Sequence, residues 1–145
     1  MRSPLRRYER RGEAGATALE YALVVPILFT VMFGIIQYGL YFWSTSTAAA
    51  SAREAARQLS VGTDWGCTRA QALAKASGAA FGGTPLVSRT YLNASNTAKV
   101  GAHVRVTVSM KAFDLQLIPL PGDGAITESV EARVANLPPA PLDCA

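Results

Sequence analysis

The chain has 145 residues, half of them hydrophobic and 17% charged, with two cysteines and one histidine. That length supports one small domain with its own core, and the apolar content excludes a disordered tail. Two cysteines exclude a disulfide-dense scaffold; with a single histidine they also argue against a zinc centre, so neither metal nor cofactor is expected.

The net charge of +4 is unevenly placed. Residues 1–15 hold Arg2, Arg6, Arg7, Arg10 and Arg11 against Glu9 and Glu13, a net of +3, whereas the remainder holds nine basic and eight acidic side chains. Basicity therefore belongs to a short leader. A basic surface interleaved with aromatics, as nucleic-acid binding needs, is not in the pattern.

From Tyr21 to Trp43 there are 23 consecutive residues without a formal charge. As a helix this run is about 34 Å long, enough to cross a hydrocarbon core of about 30 Å. Thr30 and Gln37 are its polar interruptions, and Tyr38, Tyr41 and Trp43 gather near its far end as an interfacial belt does. With five arginines before the run and Arg53 beside Glu54 as the next charges after it, the positive-inside rule places the N-terminus in the cytoplasm and residues beyond about 45 outside. Pro26 removes the usual donor for the Ala22 carbonyl and predicts a kink. Gly34 and Gly39 allow close helix approach, although a spacing of five is not GxxxG.

The run is longer than the apolar segment of a secretory signal, and the STSTAAASA stretch after it leads straight into REAARQLS, which reads as further helix. Ala48, Ala52, Ala55, Ala56 and Leu59 form a narrow small-residue face opposite Arg53, Glu54, Arg57 and Gln58, with Glu54 and Arg57 spaced to pair. One helix is thus expected from about Ala16 to Ser60, ended by Gly62.

Glu20 stands at the mouth of the apolar run. A carboxylate near membrane depth is costly and marks either the cytoplasmic boundary or a function. The order around it is a basic leader, Gly15, the small or apolar residues Ala16-Thr17-Ala18-Leu19, then Glu20-Tyr21 opening a hydrophobic helix. With the aromatic-rich FGIIQYGLYFW and the SAREAARQLS stretch, residues 11 to about 60 resemble TadE-like pseudopilins of the Tad (Flp, tight adherence) type IV pilus system. A TadF-like branch carries the same processing signal. The resemblance implies that a prepilin peptidase cuts between Gly15 and Ala16 on the cytoplasmic side, leaving Glu20 as the fifth residue of the mature chain and Tyr21 as the aromatic after it. It further implies a minor pilin or pseudopilin used in pilus assembly for adhesion or secretion. The implied partners are the peptidase, other pilins, an inner-membrane assembly platform and membrane lipid. The Ala16 amine so created would pair with Glu20 of its own or a neighbouring subunit, because two opposite charges near lipid tolerate each other better than either alone.

Three parts are therefore expected: a basic leader over 1–15, a transmembrane and extended helix over 16–60, and an extracytoplasmic α+β domain over 61–145. In the last, a short helix is expected over 68–80 and strands over 86–93, 100–111 and 126–134. The second strand alternates Val100, Ala102, Val104, Val106, Val108 and Met110 with His103, Arg105, Thr107, Ser109 and Lys111, the mark of an antiparallel sheet with one wet face. DLQLIPLPGDG is a loop, and the tail from Leu137 is proline-rich. The fold class is α+β, with the alanine face of the long helix covering a small three-stranded antiparallel sheet. The long helix laid on such a sheet is also the plan that the resemblance to pilins implies.

Cys67 and Cys144 both fall outside the membrane, where disulfides persist. A bridge between them would close a loop of about 78 residues and stabilise the fold by roughly 4 kcal/mol; intermolecular bridges or two thiols are the alternatives. Catalysis is not expected. His103 is the lone histidine and falls on a polar strand face, and no nucleophile elbow, phosphate loop or calcium loop is present in the sequence. A membrane-tethered hydrolase would need such residues. The other reading is an uncleaved single-pass membrane protein whose outer domain binds a partner or the cell wall.

Overall fold

The computed structural model of the chain describes residues 10–137, with side chains from Gly15 onward. It contains helix α1 (Arg10–Ser60), helix α2 (Trp65–Ser77), strands β1 (Leu86–Tyr91), β2 (His103–Lys111) and β3 (Ala125–Arg133), and a 3-10 turn at Pro121–Gly124. The chain forms two compact units that divide inside α1, between Ile36 and Gln37.

The first unit is helix. Every residue from Gly15 to Phe33 is exposed, and these include Leu19, Leu23, Val24, Ile27, Leu28, Phe29 and Met32. A helix that is apolar all round is at home only in a large core or in lipid. The first described residues, from Arg10, are already helical, ahead of the Ala16 start that the sequence suggests; no proline interrupts Arg10–Ala16, and helical propensity carries through Gly12 and Gly15 at about 1 kcal/mol each. It is one helix through Pro26, with the Thr30 hydroxyl donating to the Pro26 carbonyl at 2.8 Å.

The second unit is α+β. The sheet is a three-stranded antiparallel meander in the order β1-β2-β3, with Val106 of β2 opposite Arg89 on one side and Val130 on the other. Val104, Val106, Val108 and Met110 point into a single buried cluster with Ala48, Ala52, Ala55, Ala56 and Leu59 of α1. The alanine face is therefore the cover of the sheet, as its spacing predicts. Small side chains let the helix backbone approach the pleated surface, so contact is made by valines on one side and alanine methyls on the other. Ala72 and Ala76 of α2 and Val87 and Tyr91 of β1 complete the cluster. The outer face carries His103, Arg105 and Glu131, with Arg105 donating to Glu131 Oε1 across the strands at 2.6 and 2.9 Å.

Several boundaries differ from the sequence expectation, with β1 ending at Tyr91 rather than 93 and β3 shifted by one residue to Ala125–Arg133. Helix α2 starts at Trp65 because the Asp64 carboxylate accepts from the backbone N–H of Gly66 (2.6 Å) and Cys67 (3.4 Å), capping the first turn. It ends at Ser77 with Gly78 as cap. Strand β2 starts at His103, not at 100. Gly101 adopts φ +85° in a turn closed by the Ala102 N–H on the Lys99 carbonyl, and Val100 is left exposed instead of joining the core face. The end of β3 is tied to the end of α1 through the Ala135 N–H, which donates to the Ser60 carbonyl at 2.8 Å.

Candidate functional site

The residues that the sequence singles out lie on the first unit. Thr17, Glu20, Tyr21 and Val24 fall at i, i+3, i+4 and i+7, which brings them to one face of α1, where they line a shallow depression. Glu20 and Tyr21 are exposed on this face, and Gly15 and Ala16 lie one turn earlier, exposed as well. At Gly15 an added Cβ would meet nothing within 4 Å. Since alanine is favoured over glycine in a helix by about 1 kcal/mol, packing within this chain gives no reason for a glycine here.

In the second unit, Cys67 is buried in the first turn of α2. Cys144 and the proline-rich tail from 138 lie outside the described residues, as do the leader arginines before Arg10. His103 is exposed on the outer face of the sheet. Among the described residues there is no group of three or more His, Cys, Asp or Glu side chains that could hold a metal ion.

On α1 beyond the membrane run, Glu54 accepts from Arg57 Nη2 at 2.7 Å and Nε at 3.1 Å and from Gln58 Nε2 at 3.2 Å. The hydrogen bonds from Arg57, then from Gln58, hold the Glu54 carboxyl below its ordinary value, and the same pairing raises the Arg57 guanidinium. The pair is exposed and latches the helix surface rather than forming a reactive site.

Sequence reasoning missed one constellation. Gln37, read only as an interruption of the apolar run, is fully buried. Its Nε2 donates to Asp114 Oδ1 at 3.1 Å and to the Ile118 carbonyl at 2.8 Å, while the Tyr38 hydroxyl donates to the Pro119 carbonyl at 3.1 Å. The signal available in the sequence was the pairing of a lone amide in an apolar helix with a lone carboxylate in an apolar loop. Nothing in a linear pattern joins positions 77 residues apart.

Comparison with known proteins locates similarity in the helix. A family model described as TadE-like protein matches residues 15–57. No curated protein and no solved structure matched the chain. The matched segment opens at Gly15, spans Glu20 and the apolar run, and closes within the alanine face that covers the sheet. Through this helix, which continues into the unit that carries the antiparallel sheet, residues 15–57 of the chain are similar to TadE-like proteins.

Proposed function

We propose that the chain is a minor pilin or pseudopilin, cut between Gly15 and Ala16 by a prepilin peptidase and then used in assembly of a Tad-type pilus. The observation that carries this reading is the family match over 15–57, which starts at the glycine that the cut would follow. Two physical facts support it. Gly15 serves no packing need inside the chain, so its use is best explained by an outside reader of the sequence. Glu20 and Tyr21 are exposed on a long apolar stretch of helix, and among the described residues no ion pair of Glu20 offsets the cost of sitting near lipid.

Cleavage would supply that partner. The new Ala16 amine stands one turn before Glu20, at the positive end of the helix dipole, where a carboxylate of the same chain or a neighbour is favoured. The pairing would set the axial register of helices in an assembly. The leader arginines keep the N-terminus in the cytoplasm and the second unit outside, and the exposed apolar helix anchors the subunit in the membrane before it joins the pilus.

The test is the mass and N-terminal sequence of the chain recovered from native membranes. A chain starting at Ala16 supports processing. An intact leader, allowing for methionine removal, overturns it and leaves an uncleaved single-pass protein whose outer unit binds a partner or the cell wall.

A further inference from the structure

Within the second unit, one loop turns several polar groups inward and leaves an apolar tip exposed. The segment from Phe113 to Pro121 (FDLQLIPLP) leaves β2 and returns through the Pro121–Gly124 turn, its neck closed by the Ala112 N–H on the Gly124 carbonyl at 2.8 Å. Its polar groups face the helix. The Ile118 and Pro119 carbonyls accept from Gln37 and Tyr38, and the single charge, Asp114, accepts from Gln37 Nε2 and from the Gln116 N–H at 2.8 Å. Pro119 and Pro121 have no N–H to satisfy. At its tip Leu117 is 53% exposed beside the exposed Gln116, while Leu120 is buried and Phe113, Leu115 and Ile118 are half-buried. A loop facing water has no need of this arrangement; one facing hydrocarbon does, since a bare backbone polar group there costs several kcal/mol.

The height of the loop on the helix identifies what it faces. Gln37 and Tyr38 lie inside the charge-free run that ends at Trp43, so the loop is fastened about 8 Å back along that run from its aromatic end. At the end of the run, Trp43 stands 5.9 Å from Phe81, and Phe81 stands 5.6 Å from Phe113, ring centre to ring centre. Trp43 and Phe81 are 47% and 46% exposed. Three separate stretches of chain thus meet in one aromatic patch, of which Trp43 is the last residue of the charge-free run.

We infer that this patch and the 113–121 loop are a membrane-docking surface. The loop tip at Leu117 enters the interfacial layer of the bilayer around α1, and Trp43, Phe81 and Phe113 form the belt above it. The occupant is lipid rather than protein because Gln37 and Tyr38, which fasten the loop, and Trp43, which belongs to the patch, are themselves residues of the charge-free run. Gln37 is the clamp that makes entry tolerable, since it satisfies the loop carboxylate and a loop carbonyl together. The inference rests on the reading of α1 as a membrane helix, and the experiment separates the two.

The full chain carrying Trp43→Phe and Trp65→Phe receives one reporter, Leu117→Trp or, as a second position on the patch, Phe81→Trp. Phe33→Trp, in the middle of the run, is the control. Each variant is placed in phosphatidylcholine vesicles whose acyl chains are brominated near the carbonyl end. At Leu117→Trp and Phe81→Trp the emission is expected to shift to the blue and to lose most of its intensity to the brominated lipid, with little further loss to aqueous acrylamide. Quenching of Phe33→Trp alone, with Leu117→Trp open to acrylamide, overturns the docking surface and leaves the membrane helix standing. A Leu117→Trp reporter shielded from both quenchers means that a second copy covers the patch, which also overturns lipid as its occupant. If lipid quenches none of the three, the membrane reading fails and this inference with it.

Discussion

The two units of this chain solve opposite problems. From Gly15 to Phe33 every residue of the helix is exposed. From Gln37 onward the chain buries a core of valines against alanines and ties its loops to its helix by named hydrogen bonds. What the first unit encodes is therefore addressed outward, whereas most of what the second encodes is addressed to itself. The family match straddles both, because it ends in the alanine face and stops short of the sheet that this face covers.

That contrast predicts where substitutions act. Glu20→Gln should have the largest effect on assembly and the smallest on folding. Piliation is expected to be lost, while the membrane fraction of the subunit and the thermal transition of the second unit stay unchanged. Immunoblots of sheared pili and of membranes read the two separately. Normal piliation by this variant would remove Glu20 from the account.

The next effect belongs to the second unit alone. If Cys67 and Cys144 are bridged within one chain, reduction should lower stability by roughly 4 kcal/mol, with the loss confined to the second unit. Peptide mapping without reductant decides whether the linked pair exists, and denaturant titration with and without reductant gives the size. A bridge between chains would instead appear as a dimer that reductant dissolves.

Packing then distinguishes two alanines on the same helix. Ala52 is fully buried against the sheet, and Ala22 is exposed in the first unit. Ala52→Leu forces extra methylenes into a filled contact and should cost about 1–3 kcal/mol, with a lower thermal midpoint. Ala22→Leu should leave that midpoint where it is. Equal effects would mean that the first unit is packed against something the contrast ignores.

These cases show why some of the molecule could be read in advance and some could not. The alternation of Val104, Val106, Val108 and Met110 and the spacing of the alanines are local periodicities, and each was enough to predict its buried face. Val100 and Ala102 continue the same alternation, yet the strand does not include them, because Gly101 turns the backbone through a positive φ that composition does not reveal. The start of α2 was open to reading, since Asp64 stands where a cap should, but the alanine-rich stretch after it drew the expected boundary three residues late. Gln37 could not have been placed, because its partners are supplied by a loop 77 to 81 residues away. The candidate site at Gly15 and Glu20 is the reverse case. Its motif is legible in the sequence, and the fold adds a helix face that Glu20 and Tyr21 share with Thr17 and Val24, and, among the described residues, open space around Gly15.

Local devices give the smaller effects. Asp64→Ala removes the carboxylate that accepts from two backbone N–H groups and should cost about 1 kcal/mol, read as a shifted denaturation midpoint with the strands intact. Asp64→Asn should recover most of it, because the amide oxygen can accept the same bonds.

The smallest effect is a dependence on pH at the Glu54–Arg57 pair. Hydrogen bonds from Arg57 and Gln58 lower the Glu54 carboxyl below its ordinary value in the folded chain. A group lowered on folding contributes stability above its unfolded value, and that contribution fades as pH falls through the folded value. The wild-type chain should therefore be slightly more stable than Glu54→Gln near neutral pH, and the two should converge in acid below the ordinary carboxylate range. Because the pair is exposed, added salt should shrink the neutral-pH difference as acid does. The same titration leaves the first unit untouched, since both partners lie on the part of α1 that carries the sheet.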